Sequence, residues 1–309
     1  MDEFRIPLGQ WVKVGVDWVR DNLDGVTDFI ALVARWLVTS LTDVLLAVPA
    51  PLAIIVAALL CWLVRSWQLA VGTALTFVLV LGMGMWTQSM QTLALVLVAA
   101  AIALIIGIPL GIWSARNSAV RTVVRPVLDF MQTMPGLVYL IPAIVFFSIG
   151  VVPGLVATVI FSLPPAVRLT ELGIRGVDSE TVEAGHAFGA KPGQILRGIQ
   201  LPLAMPTIMT GVNQVIMLAL SMAVIAGFAG ADGLGKVVIE ALSTVNVPRG
   251  VEAGLSVVII AVFLDRVTGA FGDLPGHRSS LLNVLSRRRA VARVMAPATP
   301  EEASAPVHS

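Results

Sequence analysis

Polar side chains inside otherwise apolar stretches are the residues of this chain whose positions could serve a chemical purpose. If those stretches cross a membrane, each polar group costs free energy unless it contacts water or a hydrogen-bonding partner, so it is a candidate for lining a solute pathway. Interhelical hydrogen bonding, worth about 0.6–2 kcal/mol per bond, is the alternative use. The candidates for a translocation pathway are Gln132, Thr133, Tyr139, Asn213, Gln214 and Ser221. Nearby prolines can break these helices and free backbone carbonyls for a cavity; they are Pro135, Pro142, Pro164 and Pro165.

No residue pattern points to covalent or metal chemistry in this chain. The single cysteine, Cys61, excludes an intrachain disulfide and a cysteine-based metal cluster, and the three histidines lie far apart in sequence. An intramembrane enzyme would need paired carboxylates, a His-Glu-x-x-His motif or a serine with a histidine inside the spans, and the sequence has none of these. A glycine-rich nucleotide-binding loop is missing as well. The sequence therefore predicts no catalytic residue, no metal site and no cofactor in this chain.

The composition places the chain in a membrane. Of its 309 residues, 57 % are hydrophobic and 13 % are charged, whereas soluble domains carry about 25 % charged residues. This excludes an ordinary soluble enzyme, a disordered chain and a disulfide scaffold. The 20 basic and 19 acidic residues nearly cancel, so no overall field favours a nucleic-acid partner. The first residues lack a basic region followed by an apolar run, so we expect no cleavable signal peptide.

Stretches without Asp, Glu, Lys or Arg locate the membrane spans, because a charge at the bilayer centre costs roughly 2.5–3.5 kcal/mol. Each span needs about 20 apolar residues. The charge-free stretch 66–115 is long enough to cross twice, with its natural break at Thr87–Gln91. We therefore predict an all-α membrane protein with about seven transmembrane helices. The predicted spans are approximately 45–64, 68–86, 90–113, 128–149, 154–168, 206–229 and 250–268.

Arginines concentrate in the loops on one side of these spans, and basic loops stay in the cytoplasm. This bias predicts an N-terminus outside and a C-terminus inside the cell. The segment 1–43 repeats apolar and charged residues every three or four positions, which is typical of an amphipathic helix on the membrane surface. A transmembrane domain, 44–272, and a largely disordered cytoplasmic tail, 273–309, follow. Within this tail, Arg287–Arg289 could bind anionic membrane lipid.

The longest predicted cytoplasmic loop, 169–205, encodes two short helices. Asp178 or Ser179 can cap the first of them. Gly189 suits the left-handed position that ends a helix. Pro202 is expected to end the second helix before the chain re-enters the membrane. Two such helices could form a docking surface for another protein.

Part of this loop resembles the signature of permease subunits of binding-protein-dependent ABC importers. That signature is a glutamate-alanine-alanine motif, followed by a glycine and later by an isoleucine-any-leucine-proline motif. Gly185 stands where alanine is usual in that family. By this resemblance, the loop forms the coupling helix that fits a cleft in an ATPase subunit. The residues of this predicted coupling loop are Glu183, Ala184, Gly185, Ala187, Gly189, Ile199, Leu201 and Pro202.

Further blocks extend the resemblance over residues 6–272 and narrow it to the glycine betaine/proline-type permeases. They include Gln132–Pro135, Phe161–Thr170 and Gly250–Leu255, whereas Asp232 stands where we expect glycine. The resemblance implies a type I ABC importer permease fold in the bacterial cytoplasmic (inner) membrane. It also implies two copies of the chain, ATPase subunits that bind ATP and Mg²⁺, and an external substrate-binding protein. The substrate would be a small osmoprotectant such as glycine betaine, proline betaine, choline or carnitine.

Two other functions stay open at this point. Within the ABC class, the chain could be a permease for methionine or another amino acid. From a different class, an ATP-independent secondary transporter or channel would have a similar composition. Co-purification of an ATPase, or loss of transport on changing Glu183 or Gly189, would separate the two classes.

Overall fold

The structure, a computed structural model, describes residues 8–272, and all the regular elements in that part of the chain are helical. A π-helical turn, Leu196–Gln200, joins the helix Pro192–Ile195 to the helix Leu201–Ile225, and a 3-10 turn, Ala226–Ala229, follows the second of these helices. The predicted tail, 273–309, with its arginines, lies outside the described residues, as do residues 1–7. The helices are α1 (Leu8–Ala47), α2 (Ala50–Val64), α3 (Trp67–Gly82), α4 (Trp86–Arg116), α5 (Ser118–Thr133), α6 (Gly136–Phe147), α7 (Val151–Arg175), α8 (Ser179–Ala187), α9 (Pro192–Ile195), α10 (Leu201–Ile225), α11 (Leu234–Ser243) and α12 (Val247–Gly272).

Five helical segments in the described part of the chain are long and apolar enough to cross a membrane. A sixth span results if α5 and α6, which are bent by 100° at a short break, count as one. The predicted spans 45–64 and 68–86 correspond to α2 and α3, which have 15 and 16 residues. At about 1.5 Å per residue, both are shorter than a hydrocarbon core of about 30 Å. Length and composition therefore give five or six spans where the sequence predicted about seven. The five segments are Asn22–Ala47, Trp86–Arg116, Val151–Arg175, Pro192–Ala229 and Val247–Ala270.

The N-terminal helix departs from the predicted division between an amphipathic segment and a transmembrane domain. α1 continues through the predicted boundary to Ala47, with a kink at Leu23. Its second part, Asn22–Ala47, is apolar enough to cross the membrane. Arg35 and Asp43 interrupt this segment, so a search for charge-free stretches does not detect it.

Helices α4, α7 and α10 form the centre of the bundle, and small residues let them approach closely. An added Cβ at Gly107 would lie 2.4 Å from the Cβ of Ala166, and one at Gly111 would lie 2.6 Å from the carbonyl oxygen of Val167. In lipid, helix association depends on such close packing, because lipid tails are as apolar as the side chains. The buried core around these helices includes Leu95, Val96, Ala99, Leu155, Val215 and Ala219.

The chain turns sharply at the end of α10 that lies away from the loop between α7 and α10. Residues 226–235 are called the distal turn below. The backbone N–H of Leu234 in this turn donates to Thr92 Oγ1 of α4 at 2.8 Å. The N–H of Gly150, just before α7, donates to the carbonyl oxygen of Ala229 at 2.8 Å. The distal turn therefore joins the ends of α4, α7 and α10.

The prolines singled out as helix breakers behave differently from one another. Pro135 lies at the break between α5 and α6, so the predicted span 128–149 consists of two short helices. Pro142 lies inside α6, and Pro164 and Pro165 lie inside α7, where the helix continues. Neighbouring helices in a membrane bundle can satisfy the backbone groups that such prolines free.

Candidate coupling loop and solute pathway

The loop between α7 and α10 carries a capped short helix, α8. Asp178 is its N-cap, since Asp178 Oδ1 accepts from the backbone N–H of Glu180 at 3.2 Å and Asp178 Oδ2 accepts from Thr181 Oγ1 at 3.3 Å. Glu180 lies in the first turn, where a carboxylate favours the positive end of the helix dipole. Of the two predicted caps, the structure therefore has Asp178, and Ser179 is the first helical residue.

Gly189 follows the end of α8 in the left-handed conformation, with a φ of 78°. Its N–H donates to the carbonyl oxygen of His186 at 2.9 Å, and the N–H of Ala190 donates to the carbonyl oxygen of Gly185 at 3.1 Å. This pair of bonds is the Schellman arrangement, which satisfies carbonyls left free at a helix end. The backbone thus confirms that Gly189 ends the helix.

The inner side of α8 packs on the π-helical turn that precedes α10. Gly185 is buried, and an added Cβ there would lie 2.8 Å from Ile199 Cδ1 and 3.4 Å from Ile195 Cγ1. The two isoleucines therefore occupy the room that a side chain at position 185 would need. This close packing is consistent with glycine, rather than the expected alanine, at position 185.

Gly185→Ala is expected to change stability little. Alanine gains about 1 kcal/mol over glycine inside a helix, and the closest obstacle is the flexible end of Ile199. Gly185→Leu should instead push α8 off the π-helical turn, because overpacking typically costs about 1–3 kcal/mol. The measurement is the thermal unfolding midpoint of the purified protein. An alanine variant as unstable as the leucine variant would contradict this account of the contact.

The outer side of α8 is exposed. Glu183, Ala184 and Ala187 are open to solvent, and Phe188, directly after the helix, has 91 % of its surface exposed. Phe188 thus leaves an aromatic ring available for contact with another molecule. The outer surface of α8 and the turn after it therefore carries the carboxylates of Glu180 and Glu183, two small residues and one aromatic ring.

The prediction that Pro202 ends the second short helix is wrong. α9 begins at Pro192 and runs through the π-helical turn Leu196–Gln200 directly into α10. The N–H of Leu201 bonds to the carbonyl oxygen of Leu196, five residues earlier. This wider turn accommodates the ring of Pro202, which lies in the first turn of α10.

The break between α5 and α6 holds the first group of pathway candidates. Gln132 and Thr133 end α5 and are exposed. Tyr139 is buried, and its hydroxyl donates to the carbonyl oxygen of Met131. The tyrosine thereby satisfies a carbonyl at a helix end, where the helical partner is missing. The contact of Tyr139 supports the alternative use, hydrogen bonding between helices, whereas the other two side chains stay open to a pathway.

The second group lies on α10 and is divided between two sides of that helix. Asn213 faces α12, where its Nδ2 donates to Asp265 Oδ1 at 3.0 Å and its Oδ1 accepts from Thr268 Oγ1 at 2.7 Å. Both polar ends of this amide therefore hold α10 against α12. Gln214 and Ser221 are exposed.

An exposed polar stripe on α10 contains Thr210 together with Gln214 and Ser221. Separations of four and seven residues bring these side chains to one face of the helix. The break between α5 and α6 lies beside the Ser221 end of the stripe, because an added Cβ at Gly136 would be 3.2 Å from Met222 Sδ. Such a stripe would be unfavourable in lipid, so this face contacts water or a second protein. Thr210 was missed from the sequence, although its spacing from Gln214 was available.

Sequence reasoning also missed a buried carboxylate close to the loop. Glu171 of α7 is 4 % exposed, and its Oε1 lies 2.7 Å from Arg121 Nε, 3.3 Å from Arg125 Nη2 and 3.6 Å from Arg175 Nε. All three contacts are ion pairs, and the one from Arg125 is also a hydrogen bond, which is stronger between ionised groups than between neutral ones. The available signal was the row Arg121, Arg125 and Asp129, whose spacing of four residues places all three on one face of α5.

Asp232, where glycine was expected, lies in the distal turn. Its Oδ1 is 3.0 Å from Lys236 Nζ, one helical turn further on. The hydrogen bond from Lys236 to this carboxylate, with its negative charge, raises the pKa of the Lys236 ammonium group. An exposed pair with this spacing contributes about 0.2–0.5 kcal/mol, so it adds modestly to the first turn of α11.

The helical bundle of the described residues, with the capped loop between two of its central helices, has the fold of a type I ABC importer permease. The solved MetNI methionine ABC transporter, in inward-facing conformations, matches this chain with a TM-score of 0.54 at 22 % identity. The match covers 59 % of this chain and 91 % of that chain, and it establishes the fold.

The family follows from the sequence comparisons. Residues 107–274 match the family described as "Binding-protein-dependent transport system inner membrane component", and the chain belongs to this family. The glycine betaine/proline betaine transport system permease protein ProW of Escherichia coli is 45 % identical over 86 % of this chain and 75 % of its own length. The glycine betaine transport system permease protein OpuAB of Bacillus subtilis is 46 % identical over 85 % of this chain and 94 % of its own length.

Family membership fixes the coarse function. The chain is a multi-pass membrane protein and the permease subunit of an ABC importer, a class that works with an ATPase and a binding protein. An ATP-independent secondary transporter or channel is not favoured.

Proposed function

We propose that this chain is the permease through which an ATP-driven importer takes up glycine betaine and related osmoprotectants, such as proline betaine and choline. The names of the relatives that are 45 % and 46 % identical support this substrate class. A third, the glycine betaine/carnitine transport permease protein GbuB of Listeria monocytogenes, is 46 % identical and extends support to carnitine. The methionine transporter matches at 22 % identity. At this identity the match supports a shared fold and does not support methionine as the substrate. The single observation that carries the proposal is the anchored α8, with its outer side exposed.

In this proposal, α8 and the turn that follows it enter a cleft of the ATPase subunit. ATP and Mg²⁺ are bound and hydrolysed on that subunit, and the loop passes the resulting movement to the bundle. Glu183, Ala184 and Ala187 form the contact surface, while Gly185 and Gly189 set the position and the end of the helix. Ile199, Leu201 and Pro202 shape the π-helical turn on which α8 rests.

Gly189→Ala is expected to destabilise the end of α8 by about 1–2 kcal/mol, because a side chain is disfavoured at positive φ. Gly189→Asn should cost less, since asparagine adopts this conformation more readily. The measurement is the amount of ATPase subunit retained by the purified permease. If both variants lost the same amount of bound ATPase subunit, ATPase binding would not depend on the left-handed conformation at position 189.

A second copy of the chain completes the pathway in this proposal. The exposed polar stripe of α10 and the end of α5 need a polar neighbour, and two copies facing each other would enclose them in water. Gln132, Thr133, Gln214 and Ser221 then line the passage. Tyr139 and Asn213 hold the shape of its wall through the hydrogen bonds described above.

Gln214→Leu tests this pathway. Removing a polar contact to a charged solute costs about 1.5–3 kcal/mol, so uptake at low substrate concentration is expected to fall about tenfold or more while the thermal unfolding midpoint stays unchanged. Asn213→Leu is the matched control on the neighbouring position, and it should lower the unfolding midpoint instead, because it leaves Asp265 without its amide partner. Normal uptake and affinity in the Gln214→Leu variant would contradict the pathway.

The arginine bias also supports an orientation. We place the chain in the bacterial inner membrane with α8 and the C-terminus in the cytoplasm. An N-terminus outside, as predicted from seven spans, requires an odd number of spans, whereas six spans would place both termini in the cytoplasm. The external binding protein then meets the side of the distal turn. In the same proposal, Arg287–Arg289 bind anionic lipid of the membrane.

A further inference from the structure

A single carboxylate joins three helices beside the proposed ATPase contact. We propose that Glu171 is a positioning residue that transmits movement of α8 to the α5 end of the solute pathway. This inference rests on the proposed function, and it adds the route by which the loop reaches the pathway.

Glu171 lies one helical turn before the C-terminus of α7. Arg175, which contacts Glu171 Oε1 at 3.6 Å, is the last residue of α7, and α8 begins at Ser179. Arg175 Nη2 also donates to the carbonyl oxygen of Ser114, at the C-terminus of α4, at 3.4 Å. A displacement of α8 therefore reaches the residues that hold this carboxylate through the three-residue link 176–178, in addition to its packing on the π-helical turn.

Charged contacts, more than apolar packing, hold α5 against α7. Within α5, all of which the structure describes, Leu128 alone is buried. Arg121 and Arg125 reach Glu171 from this helix. One turn further along, Asp129 pairs with Arg168 of α7. The position of α5 relative to α7 is thus set by a row of ion pairs, with Glu171 as its buried member.

α5 connects this row of ion pairs to the pathway. The helix has 16 residues and so is about 24 Å long at about 1.5 Å per residue. Its other end carries Gln132 and Thr133 at the break with α6. The helix continues past Pro126 to Thr133, so a tilt set at Arg121 and Arg125 is carried along it to that end. Ion pairs that exchange between discrete partners are a known means of coupling distant sites.

The three arginines around Glu171 depend on its negative charge. Three guanidinium groups share its Oε1, and without the carboxylate they would repel one another. Glu171→Gln keeps the size of the side chain and removes its charge. It should therefore loosen α5 against α7, where the Asp129–Arg168 pair remains, while it leaves the surface of α8 intact.

The test uses the complete complex of permease, ATPase and binding protein in proteoliposomes. Glycine betaine uptake and ATP hydrolysis are measured together for wild type, Glu171→Gln and the control Glu240→Gln, an exposed carboxylate on α11. In the Glu171→Gln variant we expect ATP hydrolysis to continue and uptake per ATP to fall by about tenfold, within the range of coupling energies between sites. The control should keep the wild-type ratio.

A purely structural role would lower uptake and hydrolysis in the same proportion, and that result, like an unchanged ratio, would overturn the inference. If Glu171→Gln does not assemble, Arg125→Gln decides, because it removes one contact from a half-exposed side chain. A lowered ratio in that variant supports the role of Glu171, and a wild-type ratio overturns it. Glycine betaine uptake by the wild-type complex tests the proposed function, whereas the ratio of uptake to ATP hydrolysis in the variants tests the role of Glu171. The failure of one proposal can therefore be distinguished from the failure of the other.

Discussion

Glu183→Lys is expected to abolish uptake while the permease still folds and reaches the membrane. Glu183 is exposed on α8, so its replacement disturbs little within the protomer. In the ATPase cleft, however, the lysine would become a buried charge without a partner, at a cost of about 3–5 kcal/mol. Since about 1.4 kcal/mol corresponds to a factor of ten, the loss of ATPase binding should exceed a hundredfold. The measurement is uptake in cells, together with the ATPase retained on purification.

Thr181→Lys is the matched control for this charge reversal. Thr181 is exposed on the same helix. It points in a different direction from Glu183, because a separation of two residues turns a helix by about 200°. The same lysine side chain, which adds one unit of positive charge there instead of two, should leave uptake close to wild type. If both lysine variants behave alike, the contact does not depend on the face of α8 that carries Glu183.

Gly227→Ala is expected to prevent the bundle from closing at the distal turn. An added Cβ at Gly227 would lie 2.5 Å from the carbonyl carbon of Gly235 and 2.6 Å from the backbone nitrogen of Lys236. Gly235→Ala should fail for the same reason, since its Cβ would lie 2.3 Å from the carbonyl oxygen of Val224. Backbone atoms cannot rotate away as a side chain can, so the cost should reach or exceed the upper end of the usual range of about 1–3 kcal/mol.

The amount of folded protein in the membrane and its thermal unfolding midpoint measure this effect. Gly72→Ala in α3 is the control, because an added Cβ there meets nothing within 4 Å. It should be neutral or slightly stabilising, since alanine is favoured over glycine in a helix by about 1 kcal/mol. A Gly227→Ala variant as stable as Gly72→Ala would show that the two segments are not held this close together.

Local rules recovered much of the fold because a membrane helix is defined by its own composition. The spans predicted from charge-free stretches agree with α4, α10 and α12 to within five residues at each end, whereas α7 continues seven residues past its predicted end. The type of residue 189 gave the end of α8. The same rule missed the second part of α1, because Arg35 and Asp43 interrupt it. It also merged α5 and α6 into one span, since composition does not reveal a bend.

The site was harder to predict, because its contacts join residues far apart in the chain. The partners of Asn213 are Asp265 and Thr268, more than fifty positions away, and no local pattern connects them. Glu171 and Arg121 are likewise separated by fifty positions. Pro202 shows a different difficulty, because a π-helical turn accommodates a residue that normally ends a helix.

ATP-driven accumulation of labelled glycine betaine in proteoliposomes tests the central claim most directly. The permease is reconstituted with its ATPase, ATP is enclosed on the ATPase side, and the binding protein is supplied on the opposite side. The account predicts accumulation against a gradient that requires ATP, requires the binding protein and disappears with Glu183→Lys. Accumulation that is equal without ATP, or absent from a complex that hydrolyses ATP in response to the loaded binding protein, would contradict it.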